Sequence, residues 1–306
     1  MKPAILIVGH GSRDPEGTQE FTHMVELFAV KDPTRIVECG FLEFAQPVIQ
    51  EGVDRCVRRG AQVVTVLPGM LMAAGHAKND IPSEVHEARR RYPDVAFYYG
   101  RHLHLHANIV ELCARKITEA EASAAPRERQ DTLLLVAGRG SSDPDANADV
   151  QKLARLLWEG MGFGWAAACY IGITTPLLPE ALARCYRMGF ARILVLPFFL
   201  FTGVLEKRIR RLTAEFAAQH ADSEFLCTGY LNAHPLLVDV FEERAEEAVH
   251  GSPNMNCELC KYRVRLTGFE AAVGQPQFGH HHHVRGIGQD DPAHHQHSHS
   301  HHHHAE

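Results

Sequence analysis

Two histidines and one glutamate stand where side-chain chemistry is possible. His10 lies in Gly9-His10-Gly11-Ser12-Arg13-Asp14-Pro15, directly after the apolar run Ala4–Val8. His76 ends the run Leu67-Pro68-Gly69-Met70-Leu71-Met72-Ala73-Ala74-Gly75-His76. Glu43 lies just past the second apolar run, near residues 35–41. Neutral imidazoles suit a borderline divalent metal such as Co, Ni, Fe or Zn, and they also titrate near neutral pH, so either could accept a proton. A carboxylate beside them could complete a metal site or act as a base. The flanking glycines permit a tight turn and close approach of a ligand to the backbone. A single His after a strand is more often a cap or a core residue, and Gly-His-Gly-Ser-Arg could equally cradle a phosphate at a helix start.

What would bring these residues together is the order of elements. Short apolar runs near residues 3–8, 35–41, 62–67 and 94–99 alternate with amphipathic stretches near 16–30, 46–59, 77–91 and 104–118. The strands are apolar throughout rather than alternating, as expected when helices cover both sheet faces. The alternation implies right-handed crossovers and a parallel sheet. His10, Glu43 and His76 each follow a strand, so such a sheet gathers them at one rim.

The second half of the chain repeats the first at an offset of 129. Leu6, Gly9, Gly11, Ser12, Asp14 and Pro15 match Leu135, Gly138, Gly140, Ser141, Asp143 and Pro144; Pro47 matches Pro176, Val66-Leu67-Pro68 matches Val195-Leu196-Pro197, and Gly100 matches Gly229. We read a duplicated α/β domain: residues 1–118 and 131–250, each a parallel sheet flanked by helices, joined by a polar linker at 119–130. Asp14-Pro15 and Asp143-Pro144 fit helix starts. The repeat breaks at three positions, where His10 aligns with Arg139, Glu43 with Gly172 and His76 with Leu205. Residues kept in both copies serve the fold; these three differ in chemistry and are the candidates for function. The crevice between the halves is the expected ligand site.

Other residues carry weaker signals. His102, His104 and His106 alternate ahead of a helix and read as a solvated loop; His234, before Pro235, occupies the comparable segment and reads as structural. Met70, Met72, Phe198, Phe199 and Phe201 could line a flat apolar ligand or pack in the core. Arg13, Lys78, Lys207, Arg208 and Arg210 could meet an anion, although Lys78 and Lys207 match across the repeat and suggest salt bridges.

Composition narrows the classes. The 306 residues carry 31 Lys+Arg against 37 Asp+Glu, a formal charge of −6, so a non-specific nucleic-acid binder is not expected. The longest apolar run, Ile193 to Leu205, is too short to span a bilayer, and a cytoplasmic protein without membrane contact is expected. Eight Cys are too dilute for a disulfide scaffold. There is no Gly-x-x-x-x-Gly-Lys-[Ser/Thr] and hence no sign of ATP use. Twelve of the 22 His lie beyond residue 279. Residues 251–306 lose apolar periodicity, and from Gly274 the chain cannot bury enough surface to offset its ordering entropy, so a disordered His-rich tail is expected. Its interrupted His runs favour a metal-collecting segment over an expression tag. Within it Cys257 and Cys260 form Cys-x-x-Cys, whose spacing is compatible with zinc, iron–sulfur or redox use. Cys227 or a second protomer would have to supply further ligands.

Gly9-His10-Gly11-Ser12-Arg13 after a first strand, Leu67-Pro68 leading to Gly75-His76, and the duplication together resemble the class II tetrapyrrole chelatases, over residues 1 to about 245. The closer likeness is to the long-form sirohydrochlorin cobaltochelatases and ferrochelatases, in which both halves are fused; short forms pair as homodimers. The resemblance implies a chelatase, with His10 and His76 as the metal-binding and proton-accepting pair and Glu43 as an acidic residue of the same cleft. It implies sirohydrochlorin and a divalent metal as partners, with Co²⁺ as the substrate metal and cobalamin as the pathway. Met255-Asn256-Cys257-Glu258-Leu259-Cys260 resembles an element that in long cobaltochelatases is associated with an iron–sulfur cluster. Insertion of iron to give siroheme, or storage and delivery of cobalt or nickel by the His-rich tail, are the rival expectations.

Overall fold

A computed structural model describes residues 2–255 and 257–275. The first half runs β1 (Pro3–Gly9), α1 (Pro15–Lys31), β2 (Ile36–Phe41), α2 (Ile49–Arg58), β3 (Val63–Pro68), α3 (Ile81–Arg91), β4 (Ala96–Tyr99) and α4 (Ala107–Ala122). The second runs β5 (Thr132–Gly138), α5 (Pro144–Met161), β6 (Trp165–Tyr170), α6 (Leu178–Tyr186), β7 (Arg192–Pro197), α7 (Val204–Gln219), β8 (Glu224–Cys227) and α8 (Pro235–His250). Each half forms a four-stranded, all-parallel sheet, in the orders β2-β1-β3-β4 and β6-β5-β7-β8. The expected duplicated α/β fold is therefore present. Helix α4 runs on to Ala122, into the segment read as a linker.

The two faces of each central strand look in opposite directions. In β1, Ala4, Leu6 and Val8 meet Ile49, Val53, Ile81 and Val85 of α2 and α3 in an outer core. Ile5 and Ile7 join Phe21 and Phe28 of α1 in an inner core that also takes in Leu134, Val136 and Phe241. That inner core is continuous between the halves. It is built by an exchange: α8 lies on β3, β4 and α1, whereas α4 lies on β7 and α5. Each half's last helix thus covers the other half's sheet. Removing a fully buried ring such as Phe241 from that seam would cost about 3–5 kcal/mol.

The helix starts follow the sequence signals. Asp14 accepts from the Glu16 amide and Asp143 from the Asp145 amide, each with proline at the first helical position. Two lysines then tie the halves reciprocally. Lys207 reaches Asp14 (2.6 Å) and Glu16 (2.8 Å), and Lys78 reaches Asp143 (2.8 Å) and Asp145 (3.2 Å). Both are the salt bridges that their matching positions suggested, and each crosses from one half to the other.

The offset is not constant. Lys78 and Lys207 keep it at 129, but Tyr92 and His220, which close the next helices, stand 128 apart. The first half holds one residue more. It is taken up in a π turn over His76–Asp80, where the Ile81 amide bonds the His76 carbonyl. Consequently Gly100 does not correspond to Gly229: the Gly100 amide bonds Val66 as the Thr228 amide bonds Val195. Met70 packs, partly buried, against the outer core, and Phe198 is buried within the inner one.

The predicted disordered His-rich tail beyond Gln275 lies outside the described residues. The segment before it turns back on the core, with Lys261 Nζ donating to the Ser142 carbonyl at 2.6 Å. Among the described residues no helix is long and apolar enough to cross a membrane.

Candidate active site

His10, Glu43 and His76 come together at one rim. Their ligand atoms all lie within 4.8 Å of one another. Parallel pairing explains the first two: the Leu42 amide bonds Gly9 and the Glu43 amide bonds His10, both at 3.0 Å, so the chain after β2 continues alongside the chain after β1. Gly11 makes this possible. It has φ +88°, and a Cβ there would sit 1.6 Å from the Glu43 carbonyl oxygen. The loop after β3 brings in His76 at the start of the π turn.

The ring nitrogens are set by their partners. His10 Nδ1 lies 3.0 Å from the Gly11 carbonyl, which can only accept, so Nδ1 carries the proton. Its Nε2 keeps the lone pair and sits 3.1 Å from Glu43 Oε1, off hydrogen-bond geometry. His76 Nδ1 is 2.7 Å from Asp80 Oδ2, and Asn79 donates to Asp80 Oδ1 at 2.9 Å. A carboxylate behind a histidine fixes the ring and raises its basicity as a ligand. The rings of His10 and His76 are 4.8 Å apart and nearly perpendicular.

Electrostatics keep His10 neutral. Burial, then Arg139, then His76 push it down to about 4, against the weaker pull of Glu43. Glu43 is buried, at 1% exposure. Arg139, the residue that replaces His10 in the second half, therefore faces the same site rather than being a lost copy of it. Arg139 is exposed on its outer side; partial desolvation lowers its guanidinium while Glu43 supports its charge. Phe44 sits 6.4 Å from His10, ring to ring, and under Arg13 at 4.7 Å. Two imidazoles, a buried carboxylate and an arginine at an inter-half rim can hold a divalent cation, accept protons and meet an anionic ligand.

Sequence reasoning missed Asp80 and Arg139. A His-x-x-x-Asp spacing at a helix start could have found Asp80. Nothing local marked Arg139. His106 and His234 are equivalent N-caps, accepting from the Asn108 and Leu236 amides. His102 corrects the solvated-loop reading, being 2% exposed.

Nothing among the described residues supports an iron–sulfur cluster. Cys260 is buried but belongs to no group of three ligating side chains among them, and the side chain of Cys257 lies outside them. Cys227 packs, partly buried, against the outer core of the second half, and desolvation pushes its thiol up to about 11, away from the thiolate a cluster needs.

A family model described as CbiX matches residues 4–120 and again 133–248. The sirohydrochlorin cobaltochelatase of Priestia megaterium is 43% identical over 265 residues, covering 86% of this chain and 85% of that protein. The sirohydrochlorin ferrochelatase of the same organism is 31% identical over 251 residues, covering 82% and 92%. The solved structure of SirB from Bacillus subtilis with Fe³⁺ superposes with a TM-score of 0.72 at 31% identity, covering 82% of this chain and 96% of that one. With one model fitting both of its halves, the chain belongs to the CbiX family of class II chelatases.

Proposed function

We propose that this chelatase inserts Co²⁺ into sirohydrochlorin, without ATP, in cobalamin synthesis in the cytoplasm. The observation that carries the reading is the convergence of His10, Glu43 and His76 at the rim between the halves. Likeness to the Priestia cobaltochelatase favours cobalt.

The reaction requires that the ion lose water and that two pyrrole N–H protons leave. His10, neutral and with its Nε2 lone pair uncommitted, displaces water from the ion. Its weak basicity makes it a ligand rather than a base. His76, backed by Asp80, is the second ligand. The pyrrole protons pass to Glu43 and to His76 as the metal moves from the imidazoles to the ring nitrogens. Arg139 meets a carboxylate of the macrocycle and orients it over the metal.

Metal insertion followed by absorbance tests the assignment. His10→Ala and His76→Ala should each lower the rate by 100-fold or more; near-normal rates in either would refute it. Iron is the second reading, favoured by the ferrochelatase relative, since two imidazoles and a carboxylate do not separate Fe²⁺ from Co²⁺. Anaerobic competition between the two metals decides. A storage or delivery role for the tail predicts instead that removing residues 276–306 abolishes function while His10 is dispensable.

A further inference from the structure

We propose that His102, His104 and Asp149 form a second binding site for a borderline divalent cation, bridging the two halves and distinct from the His10–Glu43–His76 site. One ligand atom from each lies within 4.8 Å of the others. His102 and His104 follow β4 in the first half; Asp149 belongs to α5 in the second.

His102 is 2% exposed, and neither of its ring nitrogens has a hydrogen-bond partner among the described residues. Buried polar atoms are nearly always paired, so a ring with two unpaired nitrogens points to a ligand. Burial first, then His104 and nearby cations, hold His102 well below the usual imidazole range, which leaves it in the neutral form a metal requires. Those cations are already matched: Lys78 by Asp143 and Asp145, Arg101 and Arg244 by Glu247.

The backbone that presents the rings is held on two sides. The Leu103 and His104 amides bond the Met70 and Leu71 carbonyls, both at 2.9 Å. Arg244, buried in the seam, donates to the His102 carbonyl at 3.1 Å and the Leu103 carbonyl at 2.9 Å. His104 adopts φ 62°, and its Nε2 comes 3.5 Å from Asp149 Oδ1.

The repeat supplies the control. At the offset of 128 that applies here, His102 and His104 correspond to Tyr230 and Asn232, and Asn232 shares the positive φ, at 60°. At 129, Asp149 corresponds to Glu20. In that copy the groups satisfy one another directly, with the Tyr230 hydroxyl donating to Glu20 Oε1 at 2.6 Å and the Thr202 amide to Oε2 at 2.9 Å. The first copy replaces a closed hydrogen bond with two imidazoles and a carboxylate. That donor set suits Zn²⁺, Co²⁺ or Ni²⁺ and leaves a coordination position for water. An ion there would clip α5 to the segment bonded to the loop that carries His76.

The proposal does not depend on which tetrapyrrole the enzyme uses, and its test needs none. Crystals of the full chain grown with Co²⁺ and measured at the cobalt edge should show an anomalous peak among His102, His104 and Asp149. An ordered water there, without anomalous signal, overturns the proposal. In equilibrium dialysis of the full chain against Co²⁺, His104→Gln and Asp149→Asn should each bind one ion fewer than the parent. His10→Ala should lose a different one, so that His10→Ala/Asp149→Asn loses two, with the tail's contribution common to all. Unchanged stoichiometry in both His104→Gln and Asp149→Asn overturns the site.

Discussion

Each of the two histidines proposed to hold the metal commits one ring nitrogen to the protein, and they do so differently. His10 spends Nδ1 on a neutral carbonyl; His76 spends it on the Asp80 carboxylate. Asp80→Asn should therefore keep the fold but lower Co²⁺ affinity and insertion rate about 10–100-fold. Affinity and a thermal melt measured on the same protein check this, and an unchanged affinity would rule out the orienting role. Protonation offers a second test. The folded His10 titrates near 4 and the unfolded one near 6.5, so between those values the unfolded chain holds a proton that the folded chain lacks. Stability then rises with pH across that window and is lost as pH falls through it, at no more than about 1.4 kcal/mol per unit from this residue. His102 acts in the same direction. Denaturant unfolding from pH 6.5 to 4 should show wild type losing more stability than His10→Asn, since other carboxylates and imidazoles contribute to both; parallel losses would contradict the burial of a neutral His10. His10, Glu43 and His76 were legible because each breaks the repeat. Arg139 was not, since its role depends on where the second half folds back, which no local pattern records.

The elements were more legible than their junctions. Short apolar strands and Asp-Pro helix starts are local, and the structure places them within a few residues of their expected bounds. The π turn escaped notice because one inserted residue in a helix leaves the apolar spacing nearly intact, and because Gly100 and Gly229 gave a false match that concealed the slip. Yet that turn sets His76 against Asp80. The β1–α1 loop is as tightly specified. Gly11→Ala must relieve both a left-handed φ and a Cβ 1.6 Å from the Glu43 carbonyl. The φ alone costs about 1–2 kcal/mol, and relief of the clash must part the chain after β1 from the chain after β2. We expect destabilisation of more than about 2 kcal/mol and, in whatever folds, an insertion rate as low as that of Glu43→Ala. A folded Gly11→Ala protein with wild-type insertion would show that the His10–Glu43 approach is unimportant.

At the scale of the whole molecule, the exchange of α4 and α8 makes each half incomplete. A polypeptide of residues 1–124 lacks α8, so the inner face of its sheet at β3 and β4 is bare, while its own α4 has no second sheet to cover. A second copy would supply both. Its α4 would take the place of α8, and the ties would survive, because Lys78 would meet Asp14 and Glu16 of the partner copy just as Lys207 meets them in the fused chain. What changes is the site. Arg139 would be replaced by a second His10, and the asymmetric centre by two symmetric ones that lack Arg139. Sedimentation of this half-chain should give a dimer that loses helix and sheet together on dilution. Absorbance assays should show it binding Co²⁺ but inserting it more slowly, because the guanidinium assigned to the macrocycle is gone. A folded monomer would show that the helix exchange does not hold the halves together, and full activity in the dimer would remove Arg139 from the reaction.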